Sequence, residues 1–135
     1  RSMMAALEDA AIGPDAIAHI NAHGTGTRLN DEIEAAAIRR VFVGVWEHIP
    51  VSATKSVTGH LIAAAGAVEV GACLLSLVRG LMPPNPSLDK VGQGCELAHV
   101  MGKAAPFEGA YVLSNSFGFG GQNATLVLRR FDDRE

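Results

Sequence analysis

A chain of 135 residues with 48% hydrophobic and 19% charged residues carries enough apolar side chain for one packed domain, which excludes extended disorder. Eleven Lys and Arg against fourteen Asp and Glu leave a net charge of −3, without the basic stripe of a nucleic-acid binder. Two cysteines, Cys73 and Cys95, are too few for a disulfide framework and suit a reducing compartment, so a cytoplasmic location is expected. The chain opens with Arg1 in place of Met and enters helix-forming residues at once. No charged start followed by an apolar run marks a signal peptide, and the expectation is a fragment of a longer polypeptide.

Met3–Ala11 consists of strong helix formers and stops at Gly13-Pro14, a glycine followed by a proline that cannot continue a helix. Ile17–Asn21 reads as a short strand running into the glycine-rich turn His23-Gly24-Thr25-Gly26-Thr27. Asn30 or Asp31 is expected to cap the next helix, with Asp31, Glu32 and Glu34 favoured in its first turn. Ile33, Ala37, Ile38 and Val41 supply its apolar face, and Arg39 and Arg40 suit its end. Ile49–Ser52 is a second strand signal, with Pro50 suited to a strand start. A turn-like stretch, Thr54–Gly59, precedes a long apolar run from His60 to Val78. Its single charge, Glu69, would be costly in a bilayer, so a helix buried inside a soluble protein is expected, ending at Arg79-Gly80. Pro83, Pro84 and Pro86 force an extended connection. Weak strand signals lie at Glu96–Val100 and stronger ones at Tyr111–Ser114 and Asn123–Arg129, separated by the tight turn Phe117-Gly118-Phe119-Gly120-Gly121. Strands alternate with helices first and pair as a hairpin last, which predicts an α/β domain with a mixed sheet packed by helices. No linker divides the chain, so residues 1–135 are expected to form one domain.

Three polar, glycine-bearing clusters fall at strand ends: Asn21–Thr27, Lys55–His60 and Asn115–Gly121. Ligands of open α/β sheets bind where loops leave the carboxyl ends of strands. Two histidines and a lysine gathered there would stabilise developing negative charge. Each residue also has a plainer reading. A strand-end histidine can be a structural hydrogen bonder, the threonines can close a turn, and the lysine can be solvated. His19 and His23 have the spacing of helical metal ligands, but a strand sets them roughly 13 Å apart, so no metal site is expected. Neither glycine cluster completes G-x-G-x-x-G, and no cofactor is expected. Cys73 lies in an apolar helix as inert packing, and Cys95 has no activating base beside it.

His-Gly-Thr-Gly-Thr, then Asp31 and Glu34, then Lys-Ser-x-Thr-Gly-His with Ala63-Ala64-Ala65-Gly66-Ala67-x-Glu69, then Asn-Ser-Phe-Gly-Phe-Gly-Gly, follow one another along the chain. This series resembles the C-terminal half of the β-ketoacyl-acyl-carrier-protein synthases, and is most similar to their elongating, two-histidine type. The resemblance implies a thiolase-like fold, of which this chain is the C-terminal half. It implies decarboxylative condensation of an acyl thioester with a malonyl thioester on acyl carrier protein. His23 and His60 match the family's histidine pair. Lys55 matches its lysine, in a network with carboxylates at Asp31, Glu34 and Glu69. Thr25 and Thr27 match positions that hydrogen-bond the pantetheine arm. Phe117 matches the residue whose backbone N–H serves the oxyanion hole, and Phe119 a second gate at the pocket mouth. The family's nucleophile is a cysteine at a helix N-terminus in the other half, and neither cysteine here matches it. The resemblance thus implies a missing N-terminal half and a homodimeric parent, with the fragment alone inactive.

Other readings are weighed on the same residues. A thiolase would place a cysteine in the Asn115–Gly121 turn, which has none. The initiating synthases pair one histidine with asparagine. A non-catalytic ketosynthase-like partner, or a fragment with an assembly role only, stays open as the alternative; the retained His23, His60 and Lys55 weigh against it.

Overall fold

The computed structural model describes residues 1–131. Met3 and Leu7, four apart, give helix α1 (Ser2–Asp9) one buried face. A short turn at Pro14–Ala16 leads into β1 (Ile17–Asn21), followed by α2 (Arg28–Val41), β2 (Pro50–Ser52), α3 (Lys55–Thr58) and α4 (Ala65–Arg79). The chain continues through β3 (Leu81–Met82), β4 (Ala98–His99), β5 (Ala105–Pro106), β6 (Tyr111–Phe117) and β7 (Asn123–Arg129). Five strands form one sheet in the order β4-β2-β1-β6-β7. The pairings from β4 to β6 are parallel, and the closing β6–β7 hairpin is antiparallel. β3 and β5 form a separate two-stranded antiparallel ribbon.

Both faces of the sheet are packed. Met3 and Leu7 of α1, Ile38 of α2 and Phe42 meet Ile20, Val51 and Leu113 on one face. Cys73 and Leu77 of α4 join Val112, Phe107, Met82 and Val100 on the other. Val112 and Leu113, adjacent on β6, thus serve opposite cores, as the two-residue period of a strand demands. Complete burial of Ile20, Ile38, Phe42 and Leu113 contributes about 1.5–3 kcal/mol for each side chain. This three-layer α/β arrangement with a mixed sheet is the predicted class.

Several local expectations need correction. α2 begins at Arg28 with Thr27 before it, and the N–H of Asp31 already bonds the Thr27 carbonyl, so neither Asn30 nor Asp31 is the cap. Ile33 stands exposed, while Glu34, Ala35 and Ile38 face inward, because the Glu34 carboxylate finds donors at the end of β1. The segment expected as a turn holds the single-turn helix α3. α4 starts five residues later than His60, since Gly59, Leu61 and Ile62 all take positive φ and break the helical path. It is also covered on one side only. Ala65, Glu69, Cys73, Ser76 and Leu77 are buried, whereas Val68, Leu74, Leu75 and Val78 are exposed. The stretch Ile62–Arg79 is long and apolar enough to cross a membrane by those measures alone, and here α4 packs on β6 and β7. β6 runs three residues beyond Ser114, because β7 pairs with it as far as Phe117↔Asn123.

Candidate active site

Register brings the three polar clusters to one edge. Asn21 at the end of β1 lies level with Ser52 of β2 and Ser114 of β6. Asn21 Nδ2 donates to Ser114 Oγ at 3.2 Å, and Thr54 Oγ1 donates to Asn21 Oδ1 at 3.3 Å, tying the strand ends together. Beyond these positions the chain carries His23 on a loop, Lys55 on α3 with His60 just after it, and Phe117 at the end of β6.

His23 is buried. Its N–H donates to Glu34 Oε1 at 2.8 Å and the next N–H, of Gly24, donates to Glu34 Oε2 at 2.9 Å. Gly24 has φ +43, and a Cβ there would come within 2.5 Å of Ala53 Cβ, so two separate constraints demand glycine. His60 is exposed and arrives on the Gly59–Ile62 segment. The two imidazoles meet edge to face, with centroids 5.3 Å apart and planes at 83°. The Phe117 ring lies 5.8 Å from that of His23 at 50°. Sequence positions 23, 60 and 117 therefore converge.

Electrostatics set the state of His23. Burial first, then the positive charges of Lys55 and His60, push its pKa down to about 4, against a smaller opposite pull from Asp31. At neutral pH the ring is uncharged, keeping one N–H donor and one acceptor nitrogen. Lys55 is itself buried and pairs with the buried carboxylate of Glu69 from α4. The four polar groups expected in one network, Lys55, Asp31, Glu34 and Glu69, take different hydrogen-bond partners. Glu69 answers Lys55, while Glu34 cradles the backbone of His23 and accepts from Asn115 Nδ2 at 3.1 Å. Asp31 is half-buried on the first turn of α2, where Asn30 Nδ2 donates to it at 3.0 Å.

Thr25 and Thr27 share a hydrogen bond of 2.8 Å between hydroxyls at the mouth of this loop, Thr25 half-buried and Thr27 exposed. Phe119 stands fully exposed in the turn at the hairpin tip. A cavity of about 730 Å³ lies behind the His23 loop, between α2 and the 85–97 segment, with Thr25, Glu34, Lys55, Asn85 and Cys95 among its walls. Neither cysteine is poised for attack. Burial, partly offset by the Ser114 hydroxyl, pushes the Cys73 thiol up to about 12, and burial with the carboxylates of Asp31, Glu32 and Glu96 raises that of Cys95. Among the described residues no group of three or more His, Cys, Asp or Glu side chains could hold a metal ion.

Asn85 was not singled out in the sequence, and Asn115 was noted only as the start of a strand-end cluster, without a role. Asn85 joins three segments, donating from Nδ2 to the Val51 and Val100 carbonyls and accepting the Ala53 N–H on Oδ1. Asn115, wholly buried on β6, holds Glu34. The available signal was a polar residue at an inward strand position following the apolar pair Val112-Leu113.

Comparison with known proteins gives this geometry its setting. The family model for the β-ketoacyl synthase C-terminal domain matches residues 1–89. The chain is 44% identical over 131 residues to 3-oxoacyl-acyl-carrier-protein synthase 2 of Coxiella burnetii, covering 97% of this chain and 32% of that protein. The ishigamide ketosynthase/chain length factor superposes with a TM-score of 0.93 at 36% identity, over 98% of this chain and 32% of the other. A type II polyketide ketosynthase solved in complex with its acyl-carrier protein gives 0.93 at 32% identity, over 96% of this chain and 32% of the other. The chain thus spans about a third of the relatives that it matches. Its sheet order, its converging loops and these matches place it in the β-ketoacyl synthase family, with the thiolase-like ketosynthase fold, as part of the C-terminal domain.

Proposed function

We propose that residues 1–135 are the C-terminal catalytic portion of a 3-oxoacyl-acyl-carrier-protein synthase, working with an N-terminal portion that supplies the nucleophilic cysteine. The edge-to-face meeting of His23 and His60 carries this reading. In the reaction, an acyl group waits as a thioester on that cysteine. The malonyl carboxylate leaves as carbon dioxide, and the electron pair of the broken C–C bond moves onto the adjacent carbon and thioester oxygen. N–H donors of His23 and His60 stabilise that oxygen as it becomes an enolate oxygen. The enolate carbon then attacks the acyl thioester carbonyl, a C–C bond forms, and the cysteine sulfur departs as thiolate. The Phe117 backbone N–H supports the tetrahedral oxyanion of this second step. An uncharged His23, maintained by burial and by Lys55, retains the acceptor nitrogen that a charged ring would lack.

Thr25 and Thr27 offer hydroxyls to the amides of a pantetheine arm, and Phe119 closes the acyl pocket mouth. The partners are acyl carrier protein and its acyl and malonyl thioesters, in a homodimeric cytoplasmic enzyme without a cofactor. Pairing of a structural neighbour with its acyl-carrier protein supports the first of these. In the complete polypeptide, His60→Ala should abolish carbon dioxide release from the malonyl thioester, and the 135-residue chain alone should condense nothing. Unchanged decarboxylation in the variant, or condensation by the isolated chain, refutes the assignment.

A further inference from the structure

We infer that Asn115 and Thr125 are positioning residues for His23, acting through the carboxylate of Glu34; this rests on the condensing role proposed above. A catalytic imidazole on a loop is only as well aimed as the peptide that carries it. Here one carboxylate accepts two successive amides, one on each oxygen, at 2.8 and 2.9 Å, which fixes the two peptide planes that flank the Cα of His23. Glu34 reaches that position on a side chain with three rotatable bonds. Its third donor, Asn115 Nδ2 at 3.1 Å, comes from β6 rather than from the loop, and so references His23 to the rigid sheet.

An asparagine can do this in only one of its two amide orientations. Flipped, it would turn Oδ1 toward the carboxylate and repel it. Thr125 lies directly across on β7 and donates its hydroxyl to Asn115 Oδ1 at 2.9 Å, which selects the useful orientation. Thr125 Oγ1 also lies 3.1 Å from Ser2 Oγ, extending the chain of contacts to the first residue of α1. Glu34 and Asn115 are both more than nine-tenths buried, so an unmatched polar atom here would be costly. Two residues beyond Asn115, the same strand carries Phe117 against the His23 ring. One strand thus sets His23 from behind, through its backbone, and from the side, through its ring.

The test uses the complete condensing enzyme. Wild-type protein must first release carbon dioxide from a malonyl thioester; if it does not, the functional reading fails and the positioning claim fails with it. Given that activity, Asn115→Asp sets two carboxylates face to face. Its kcat should fall by about 10²-fold in mild alkali. Activity should recover as the pH is lowered and the pair takes up one shared proton, with KM for the malonyl thioester within about twofold of wild type. Thr125→Val should lose about tenfold in kcat, while Thr125→Ser, which keeps the hydroxyl, should stay near wild type. If Asn115→Asp fails to fold, the Thr125 pair decides alone. A pH-independent loss in Asn115→Asp, full activity with only a lowered melting temperature, or equal loss in the Val and Ser variants overturns the inference.

Discussion

Acidification should destabilise this fold through a histidine that takes no part in the proposed chemistry. His19 lies within β1, 1% exposed, with Nε2 3.0 Å from Ser52 Oγ. Ser52 Oγ donates in turn to the Pro83 carbonyl at 2.5 Å, so it accepts from the ring, and Nε2 carries the proton. Nδ1 is buried without a hydrogen-bond partner among the described residues, and a second proton there would have no acceptor. Burial accordingly lowers the pKa from the ordinary 6.5 to about 4. The unfolded chain takes up its proton as the pH falls through 6.5, whereas the folded chain refuses one until about 4. Stability from this residue is therefore intact above 6.5 and lost as the pH falls toward 4, at about 1.4 kcal/mol per pH unit and about 3 kcal/mol in total. Urea unfolding at successive pH values should show the slope. His19→Gln, which cannot titrate and can still donate to Ser52, should flatten it by that amount. Glu34, raised by burial, works in the opposite sense, so the difference between the two proteins is the relevant quantity. An identical slope in wild type and His19→Gln would refute the reasoning.

Lys55→Met should cost about 3–5 kcal/mol by leaving the Glu69 carboxylate buried and unpaired, and Lys55→Met/Glu69→Leu should recover part of it. Chemical denaturation of the three proteins checks this; a double variant no more stable than the single one contradicts it. The same Lys55→Met change removes a positive charge that lowers the His23 pKa, so the imidazole resonances of His23 should titrate at higher pH. Gly24→Ala should lower the melting temperature and cost about 2 kcal/mol or more, because its Cβ meets Ala53 in a backbone conformation that favours glycine. Wild-type stability in that variant would mean that the loop moves freely. Cys73 should resist a maleimide at about pH 8 in the native protein and react once urea unfolds it, as mass spectrometry would show.

The strand-end clusters were legible because glycines bracket histidines, lysine and phenylalanine there, and such pairing of backbone freedom with polar side chains has few structural uses. The long apolar run predicted α4, but its start was hidden. Leu61 and Ile62 at φ 54 and 49 are not residues from which a helix break is expected. The inner face of α2 was misjudged for a different reason. Apolar periodicity favours Ile33, whereas the fold buries Glu34 and satisfies it with two backbone amides and Asn115. Partners that distant in sequence leave no local signature. β3 and β5, two residues each, are shorter than any period a sequence can display. The division of Lys55–Glu69 from Glu34–His23 likewise depends on which helix faces which strand end, and that is a tertiary matter.

β1 has a consequence for how the chain is made. Ile20 sits between Val51 and Leu113, so the middle strand of the sheet gains its second neighbour only when Tyr111–Phe117 has been made. During synthesis the segment from β1 to β2 meanwhile holds an apolar ribbon with one bare edge, open to wrong pairing. Closure waits for Tyr111–Phe117 to slot in parallel, a long-range step that is slow because so much loop must be ordered at once. Chains interrupted before that hairpin emerges should be claimed by chaperones or proteases, because β6 and β7 are the strands that commit the earlier ones.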